Sequence, residues 1–247
     1  VAPDELLIST LVPIPKDKRK SLSNSSNYRA IALSSVAGKL LDHVLLLKCS
    51  DTFSTSPWQF GFKKNLSTNH CTFVVKETVQ YYLNNDSQVF LCLLDATAAF
   101  DRVQYVKLFK LLRSRNLCPI VCRFLLQLYT CQTICIRWGN SMSSSVNISN
   151  GVKQGGVMSP ILFTVYIDVL LERLAKCGDG CYVGRRFHGA FGYADDISIL
   201  TPSLVGMKRM LAICSEFGRE FSVKFNASKS KVVHFGDTSV TLPAHIH

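Results

Sequence analysis

Two adjacent carboxylates, Asp195 and Asp196, sit inside an apolar run, with Ala190-Phe191-Gly192-Tyr193-Ala194 before them and Ile197-Ser198-Ile199-Leu200 after. Side chains alternate across a strand, so two neighbouring Asp residues in such a run belong at a tight turn between two strands. At a turn both carboxylates can approach one hard cation, which prefers oxygen ligands. Two-metal phosphoryl transfer uses a cluster of this kind, completed by a carboxylate from elsewhere in the chain. Taken alone, an Asp-Asp turn is more often a solvated surface turn, so the weight falls on what else the sequence supplies.

A third carboxylate is available. Gln88-Val89-Phe90-Leu91-Cys92-Leu93-Leu94-Asp95 is a short apolar run of strand formers ending in an acid, and reads as a buried strand. Asp95 emerges beside the Asp195 hairpin if the two strands are neighbours; its competing role is to cap a following helix. Ala96-Thr97-Ala98-Ala99-Phe100-Asp101 is small and then aromatic. Small residues let a substrate approach the backbone, and Phe100 is placed to wall a sugar pocket. The segment from Asn150-Gly151 through Lys153-Gln154-Gly155-Gly156 to Ser159-Pro160 is a candidate substrate loop. Its glycines permit close backbone approach, and Gln154 offers both a donor and an acceptor. By itself such a segment is more often only a turn.

These residues need elements to position them. Ser159 as N-cap with Pro160 at the first helical position predicts a helix through Phe163, Tyr166, Leu170 and Leu174, stopping near Gly178. Upstream, the pattern predicts a strand near Leu6 to Ile14, a basic loop, and helices over about 35–49 and 68–83. The short apolar run Val44 to Leu47 reads as part of a core helix. Val103, Val106, Leu108, Leu111 and Leu112 fit one helix after the first acidic strand, and Pro119 starts another with Phe124, Leu125 and Leu128 inward. Ile134–Trp138 and Ser145–Ile148 flank a Gly139-Asn140 turn. Ser203 caps a helix carrying Met207, Leu211, Cys214 and Phe217, and two last strands fall near Val223 and Val232.

Composition fits a globular protein, either one with a polyanionic partner or a generically basic one. The chain has 247 residues, enough for one large domain or two subdomains, and 47% hydrophobic content. Its 28 basic residues exceed its 17 acidic ones, giving a net charge of +11 that suits a polyanionic partner. Lys16, Lys18, Arg19 and Lys20 form a run in a polar stretch, either a loop that touches a nucleic-acid backbone or a solvated loop with no contact. Arg185 and Arg186 precede the acidic hairpin and are further candidates to face a polyanion. Of the ten cysteines, the close pairs (Cys118 and Cys122, Cys131 and Cys135, Cys177 and Cys181) have three intervening residues rather than the two of common zinc knuckles. With no signal peptide and no apolar run of transmembrane length, the thiols read as reduced and the protein as intracellular, with no membrane partner.

The ordered motifs resemble those of reverse transcriptases, most closely the non-LTR (LINE-type) retrotransposon enzymes. Asn27-Tyr28-Arg29-Ala30-Ile31-Ala32-Leu33 resembles the first fingers motif, and Gln59-Phe60-Gly61-Phe62-Lys63-Lys64 with Ser67-Thr68 the second. Leu94-Asp95 to Phe100-Asp101-Arg102-Val103, Gly151 to Phe163, Tyr193 to Asp196, and Phe225 to Lys231 resemble four successive palm motifs. The resemblance implies an α+β right-hand polymerase fold, with fingers over 1–87, palm over 88–247, and an antiparallel palm sheet backed by helices. No helical thumb or endonuclease segment is found in the sequence, so a partial product is expected.

The resemblance further implies an RNA-directed DNA polymerase that extends a DNA primer on an RNA template with deoxynucleoside triphosphates. Asp95, Asp195 and Asp196 are its expected ligands for two Mg²⁺ ions, with Mn²⁺ as the alternative metal. Phe100 is the expected steric gate against a ribose 2′-hydroxyl. Gln154 and Gly155 line the nucleotide site, Arg29 and Lys63 meet the triphosphate, and Lys229 or Lys231 lies near the pyrophosphate. The chain departs from the family pattern at Ala30, where proline is common, at Ala98, where lysine is frequent, and at Lys63, where arginine is frequent. Lysine binds phosphate as a point charge, without arginine's fork. Two other readings compete. An RNA-directed RNA polymerase shares the palm carboxylates, but Phe100 and Tyr193-Ala194 argue against it. A truncated or decayed, catalytically silent copy would at most bind nucleic acid.

Overall fold

The computed structural model describes residues 2–97 and 99–236. Ala98, one of the departures named above, and the end of the 88–247 range lie outside the described residues. In chain order the elements are α1 (Asp4–Leu7), β1 (Ile8–Pro15), β2 (Tyr28–Leu33), α2 (Val36–Lys48), α3 (Thr68–Leu83), β3 (Val89–Leu94) and β4 (Ala96–Thr97). Then come α4 (Tyr105–Ser114), α5 (Pro119–Thr130), β5 (Thr133–Trp138), β6 (Ser141–Met142), β7 (Val146–Asn147) and α6 (Ser159–Lys176). The chain continues through β8 (Tyr182–Val183), β9 (Arg186–Phe187), β10 (Ala190–Tyr193), β11 (Asp196–Thr201), α7 (Leu204–Phe221), β12 (Lys224–Phe225) and β13 (Lys231–Phe235).

These elements fall into two compact units, one of residues 1–54 and 100–163, the other of residues 55–99 and 164–247. The first unit holds a five-stranded mixed sheet of order β2-β1-β5-β6, with β7 also paired to β5. β1 and β2 are antiparallel, whereas β1 and β5 run parallel. Helices α4 and α5 pack on each other, with Leu108, Leu112 and Leu125 fully buried. Pro119 stands at the start of α5, where its missing N–H costs no hydrogen bond. Val103 is buried but precedes α4, and Val106 is 67% exposed; the inward face is carried instead by Tyr105, Leu108, Phe109 and Leu112.

Helix α2 forms as expected, its first turn capped by the Ser35 hydroxyl accepting from Gly38 N at 3.1 Å. It is not a core helix. Val36, Leu40, Val44 and Leu47 form a solvent-facing stripe and no residue of α2 is fully buried; Leu41, Asp42, Leu45 and Leu46 are half-buried. Hydrophobic periodicity reported the helix correctly, but it does not say whether another element covers the stripe.

The second unit is built on a four-stranded antiparallel sheet of order β10-β11-β3-β13, on which α3 and α7 pack. Strand β3 is central, which explains its nearly continuous apolar sequence: Val89, Phe90, Leu91, Cys92 and Leu94 are all buried. The core between sheet and helix gathers Phe60, Cys71, Val79, Val89, Leu91, Phe191 and Leu200. Ser203 caps α7 by accepting from Gly206 N at 3.1 Å, and the buried stripe of that helix runs through Met207, Met210, Cys214, Phe217 and Phe221. Met210 takes the inward place expected of Leu211, which is half-buried. All ten cysteines are free thiols. Among the described residues, no helix is long and apolar enough to cross a membrane.

Candidate functional site

The acidic site grows from the pairing of three strands. In the β10–β11 hairpin Tyr193 pairs with Asp196, which leaves Ala194 and Asp195 as a two-residue loop. Such loops need a left-handed first residue, and Ala194 has φ +58°. On the other side β11 pairs with β3 through Ile197 opposite Leu94. β3 ends at Leu94 and β11 begins at Asp196, so Asp95 and Asp196 lie at the same end of two adjacent strands. The hairpin and the end of β3 therefore bring Asp95, Asp195 and Asp196 together, as neighbouring strands require.

Their charges interact. Burial pushes the Asp196 carboxyl above its ordinary range, and the negative charges of Asp195 and Asp95 push it further. Lys229, after β12, places its Nζ 3.6 Å from Asp95 Oδ2. Its segment is tied to the same place: Asn226 N donates to the Asp95 carbonyl at 2.8 Å, and Asp95 N donates to Ser230 Oγ at 3.3 Å. Lys231 instead lies in β13, opposite Leu93. Among the described residues no three His, Cys, Asp or Glu side chains are gathered closely enough to hold a metal ion as they stand. The donor set nevertheless fits a hard divalent cation in chemistry: three carboxylates, with mutual repulsion that a cation relieves.

Lys63 belongs to the same unit. Its ammonium donates to the carbonyls of Thr55 (3.2 Å) and Ser56 (2.5 Å). Burial lowers its pKa, while the nearby Asp168 carboxylate opposes that shift. Asp168 is fully buried and accepts from Ser56 N at 2.9 Å and Ser56 Oγ at 2.6 Å. The cation is thus engaged in holding the 55–56 backbone.

The first unit carries the remaining candidates, described by themselves. Phe100 opens a short 3-10 turn and stacks on Phe163, with ring centroids 4.6 Å apart and planes at 17°. Its carbonyl accepts from Val152 N at 2.9 Å, and Gly151 N donates to the Val103 carbonyl at 2.8 Å. Gly151 has φ +89°, and a Cβ there would sit 3.0 Å from the Asp101 backbone. Gln154 Nε2 donates to Asp101 Oδ1 at 3.2 Å, and the Gln154 carbonyl accepts from Ala32 N at 2.6 Å. Gly155, at φ +100°, passes so close to β2 that a Cβ would lie 3.0 Å from the Ala32 carbonyl oxygen. The Gly-rich loop is therefore clamped between the Phe100 turn and β2. Arg29 is on β2 opposite Ile14, with its side chain exposed.

Two residues to which sequence reasoning gave no role brace this loop. Asp42 Oδ2 accepts from Met158 N at 3.3 Å, at the start of α6, and Lys153 Nζ reaches Ser9 Oγ at 3.0 Å. Burial raises the Asp42 pKa and lowers that of Lys153, although each charge partly offsets the other's shift. For both groups desolvation outweighs the attraction. The available signal was an acid inside the apolar run of α2. Gln59, also unassigned, is taken up below.

Comparison with known proteins follows the same line. A family model described as reverse transcriptase (RNA-dependent DNA polymerase) matches residues 14–245. The chain is 27% identical over 219 residues to the Retrovirus-related Pol polyprotein from type-1 retrotransposable element R2 of Popillia japonica, covering 88% of this chain and 30% of that protein. It is 26% identical over 239 residues to the RNA-directed DNA polymerase from mobile element jockey of Drosophila melanogaster, covering 91% of this chain and 25% of that protein. The chain thus spans less than a third of the length of either relative. Among solved structures, telomerase from Candida tropicalis in complex with a TWJ fragment of telomeric RNA superposes with a TM-score of 0.67 at 11% identity, covering 93% of this chain and 41% of that one. That likeness is one of fold, and it agrees with the α+β polymerase architecture expected from the sequence.

Proposed function

Because the chain belongs to the reverse transcriptase (RNA-dependent DNA polymerase) family, we propose that it is the RNA-directed DNA polymerase domain of a non-LTR retrotransposon. It would transfer deoxynucleotides from their triphosphates to the 3′-hydroxyl of a DNA primer on an RNA template. By role, residues 1–87 serve as fingers and residues 88–247 as palm. The observation that supports the reading is the pairing of β3 with β11, which ends at Leu94 opposite Ile197 and leaves Asp95 near enough to Asp196 and Asp195 for their charges to interact. Asp95, Asp195 and Asp196 would hold two Mg²⁺ ions (or Mn²⁺), which would supply Lewis acidity at the primer hydroxyl and charge neutralisation at the leaving pyrophosphate.

The protein's own residues do the rest. Asp95, Asp195 and Asp196 hold negative charge in one place, and Lys229 balances part of it until phosphate oxygens arrive. Phe100, its ring fixed against Phe163, excludes a 2′-hydroxyl. Gln154 and Gly155 present backbone and amide groups to the nucleotide, and Arg29 meets the triphosphate. Lys63 is a further candidate for phosphate, by exchanging the carbonyls of Thr55 and Ser56 for phosphate oxygens.

Primer extension on an RNA template with deoxynucleotides and Mg²⁺ tests the proposal, with Asp195→Asn beside the wild type. Extension by the wild type alone supports it, and equal extension by both refutes the assignment of Asp195. A silent copy that binds nucleic acid is the second reading, favoured by the engagement of Asp95 with Lys229. RNA binding with no extension by either protein would select it.

A further inference from the structure

We propose that Gln59 is a positioning residue for the acidic hairpin: its side-chain carbonyl holds the left-handed Ala194 and so aims Asp195 and Asp196. The inference rests on the reading of those two aspartates as the cation-holding pair. It starts from the backbone. Phe60 N donates to the Gly192 carbonyl at 2.7 Å, and Gly192 N donates to the Trp58 carbonyl at 2.9 Å. Residues 58–60 thereby lie parallel to β10, with Gln59 bridged to Gly192.

From that place the Gln59 side chain reaches the turn. Its Oε1 accepts from Ala194 N at 3.0 Å and from Gly61 N at 2.8 Å. Two amide donors face one atom, which identifies that atom as the oxygen. Gln59 is fully buried, and its Nε2 has no hydrogen-bond partner among the described residues. A buried, unpaired amide nitrogen lowers stability. If the position served packing alone, an apolar side chain would avoid that loss, so the carbonyl is what the position uses. Glycines make the room: a Cβ at Gly192 would lie 2.9 Å from Gln59 Nε2, and one at Gly61 would lie 2.3 Å from Ala194 N. Non-glycine residues rarely hold positive φ, and they persist there when surrounding contacts over-determine them. The bond to Gln59 is such a contact, on the residue immediately before the first aspartate.

The test compares wild type, Gln59→Met, Gln59→Glu and Asp195→Asn in two measurements. Amide hydrogen exchange of the hairpin reports whether the turn is held, and Mn²⁺ titration followed by electron paramagnetic resonance reports cation affinity. Gln59→Met, which removes the acceptor at equal length, is expected to speed exchange at Ala194 about ten-fold and to weaken Mn²⁺ binding several-fold. Gln59→Glu keeps an acceptor at the same reach and restores slow exchange. Asp195→Asn weakens Mn²⁺ binding with exchange at Ala194 unchanged. Should Gln59→Met fail to fold, Gln59→Asn, whose carbonyl is one methylene short, replaces it with the same expectation. Wild-type exchange at Ala194 in the variant without an acceptor overturns the inference and leaves the metal reading standing. Mn²⁺ binding indifferent to Asp195→Asn overturns the metal reading, and exchange then decides by itself whether Gln59 holds the hairpin.

Discussion

Replacing Gly61 with alanine puts a methyl group into a contact between two backbones. The added Cβ would sit 2.3 Å from Ala194 N and 3.0 Å from both Ala194 Cα and Gln59 Oε1. Carbon needs about 3.5 Å from such neighbours, so the two segments must part by roughly 1 Å. Two of the three atoms are backbone, and the third is held by two hydrogen bonds, so no flexible side-chain end can move aside. Separation stretches the bonds from Gly61 N and Ala194 N to Gln59 beyond useful length. Overpacking of this kind costs about 1–3 kcal/mol and each lost bond about 1 kcal/mol. The costs overlap, because one movement relieves the clash and breaks the bonds, so a net loss of about 2–4 kcal/mol is expected. For a chain of this size that lowers Tm by about 5–15 °C. Gly184→Ala is the control in the same unit: Gly184 has φ +60° with nothing within 4 Å of an added Cβ, so only about 1 kcal/mol of backbone strain is expected. Thermal unfolding followed by circular dichroism compares the two. A Gly61→Ala protein that melts at the wild-type temperature, or above Gly184→Ala, would refute the close approach of the 59–61 segment to the hairpin.

Other outcomes follow from the same geometry. The Asp196 carboxyl is raised in the folded state by burial and by Asp195 and Asp95, so its contribution to stability is complete below the unfolded carboxylate value and is lost as pH rises through the raised one. Without divalent cations, Asp196→Asn should therefore gain stability relative to wild type as pH rises above about 4; a pH-independent difference in melting temperature would count against the repulsion. Phe100→Val removes the ring stacked on Phe163 and, in an extending protein, should raise ribonucleotide use about ten-fold or more; unchanged sugar discrimination takes Phe100 out of the gate role. Cys118 is exposed at the N-cap position of α5, where the backbone amides of Val121 and Ile120 lower its pKa. Iodoacetamide at neutral pH should modify it before Cys131, which is also exposed, and mass spectrometry of a short time course would reveal the reverse order.

What was legible in the sequence had a local signature. The apolar run closing on Asp95 became β3, Ser159-Pro160 opened α6, and the pattern around Met207, Cys214 and Phe217 became α7. The Asp-Asp turn was readable for the same reason, since alternation within strands leaves adjacent acids no other place. Long-range partners have no such signature. Ser56 meets Asp168 across 112 residues, Asp42 meets Met158 across 116, and Gln59 meets Ala194 across 135. Lys63 illustrates the consequence. Its place in a motif suggests a cation facing phosphate; its partial burial and its hold on Thr55 and Ser56 depend on a loop and a buried acid that no window around residue 63 contains.

The position of alanine in Tyr193-Ala194-Asp195-Asp196 follows from where the glycine lies. A left-handed first residue in a two-residue hairpin loop favours glycine, and alanine there costs about 1 kcal/mol or more. The close backbone contact at this turn needs only one partner without a side chain, and Gly61 is that partner. Residue 194 can then keep its methyl group, which is buried, provided something holds the unfavourable φ. The Gln59 carbonyl bonds both residues of the contact at once. Exchanging the two, with alanine at 61 and glycine at 194, would relieve the φ strain but leave the clash, because the 2.3 Å contact is with the backbone nitrogen and not with the Ala194 side chain. The double variant should therefore remain close to Gly61→Ala in stability, and recovery of the wild-type melting temperature would show that side-chain size at 194, not backbone approach, limits the site.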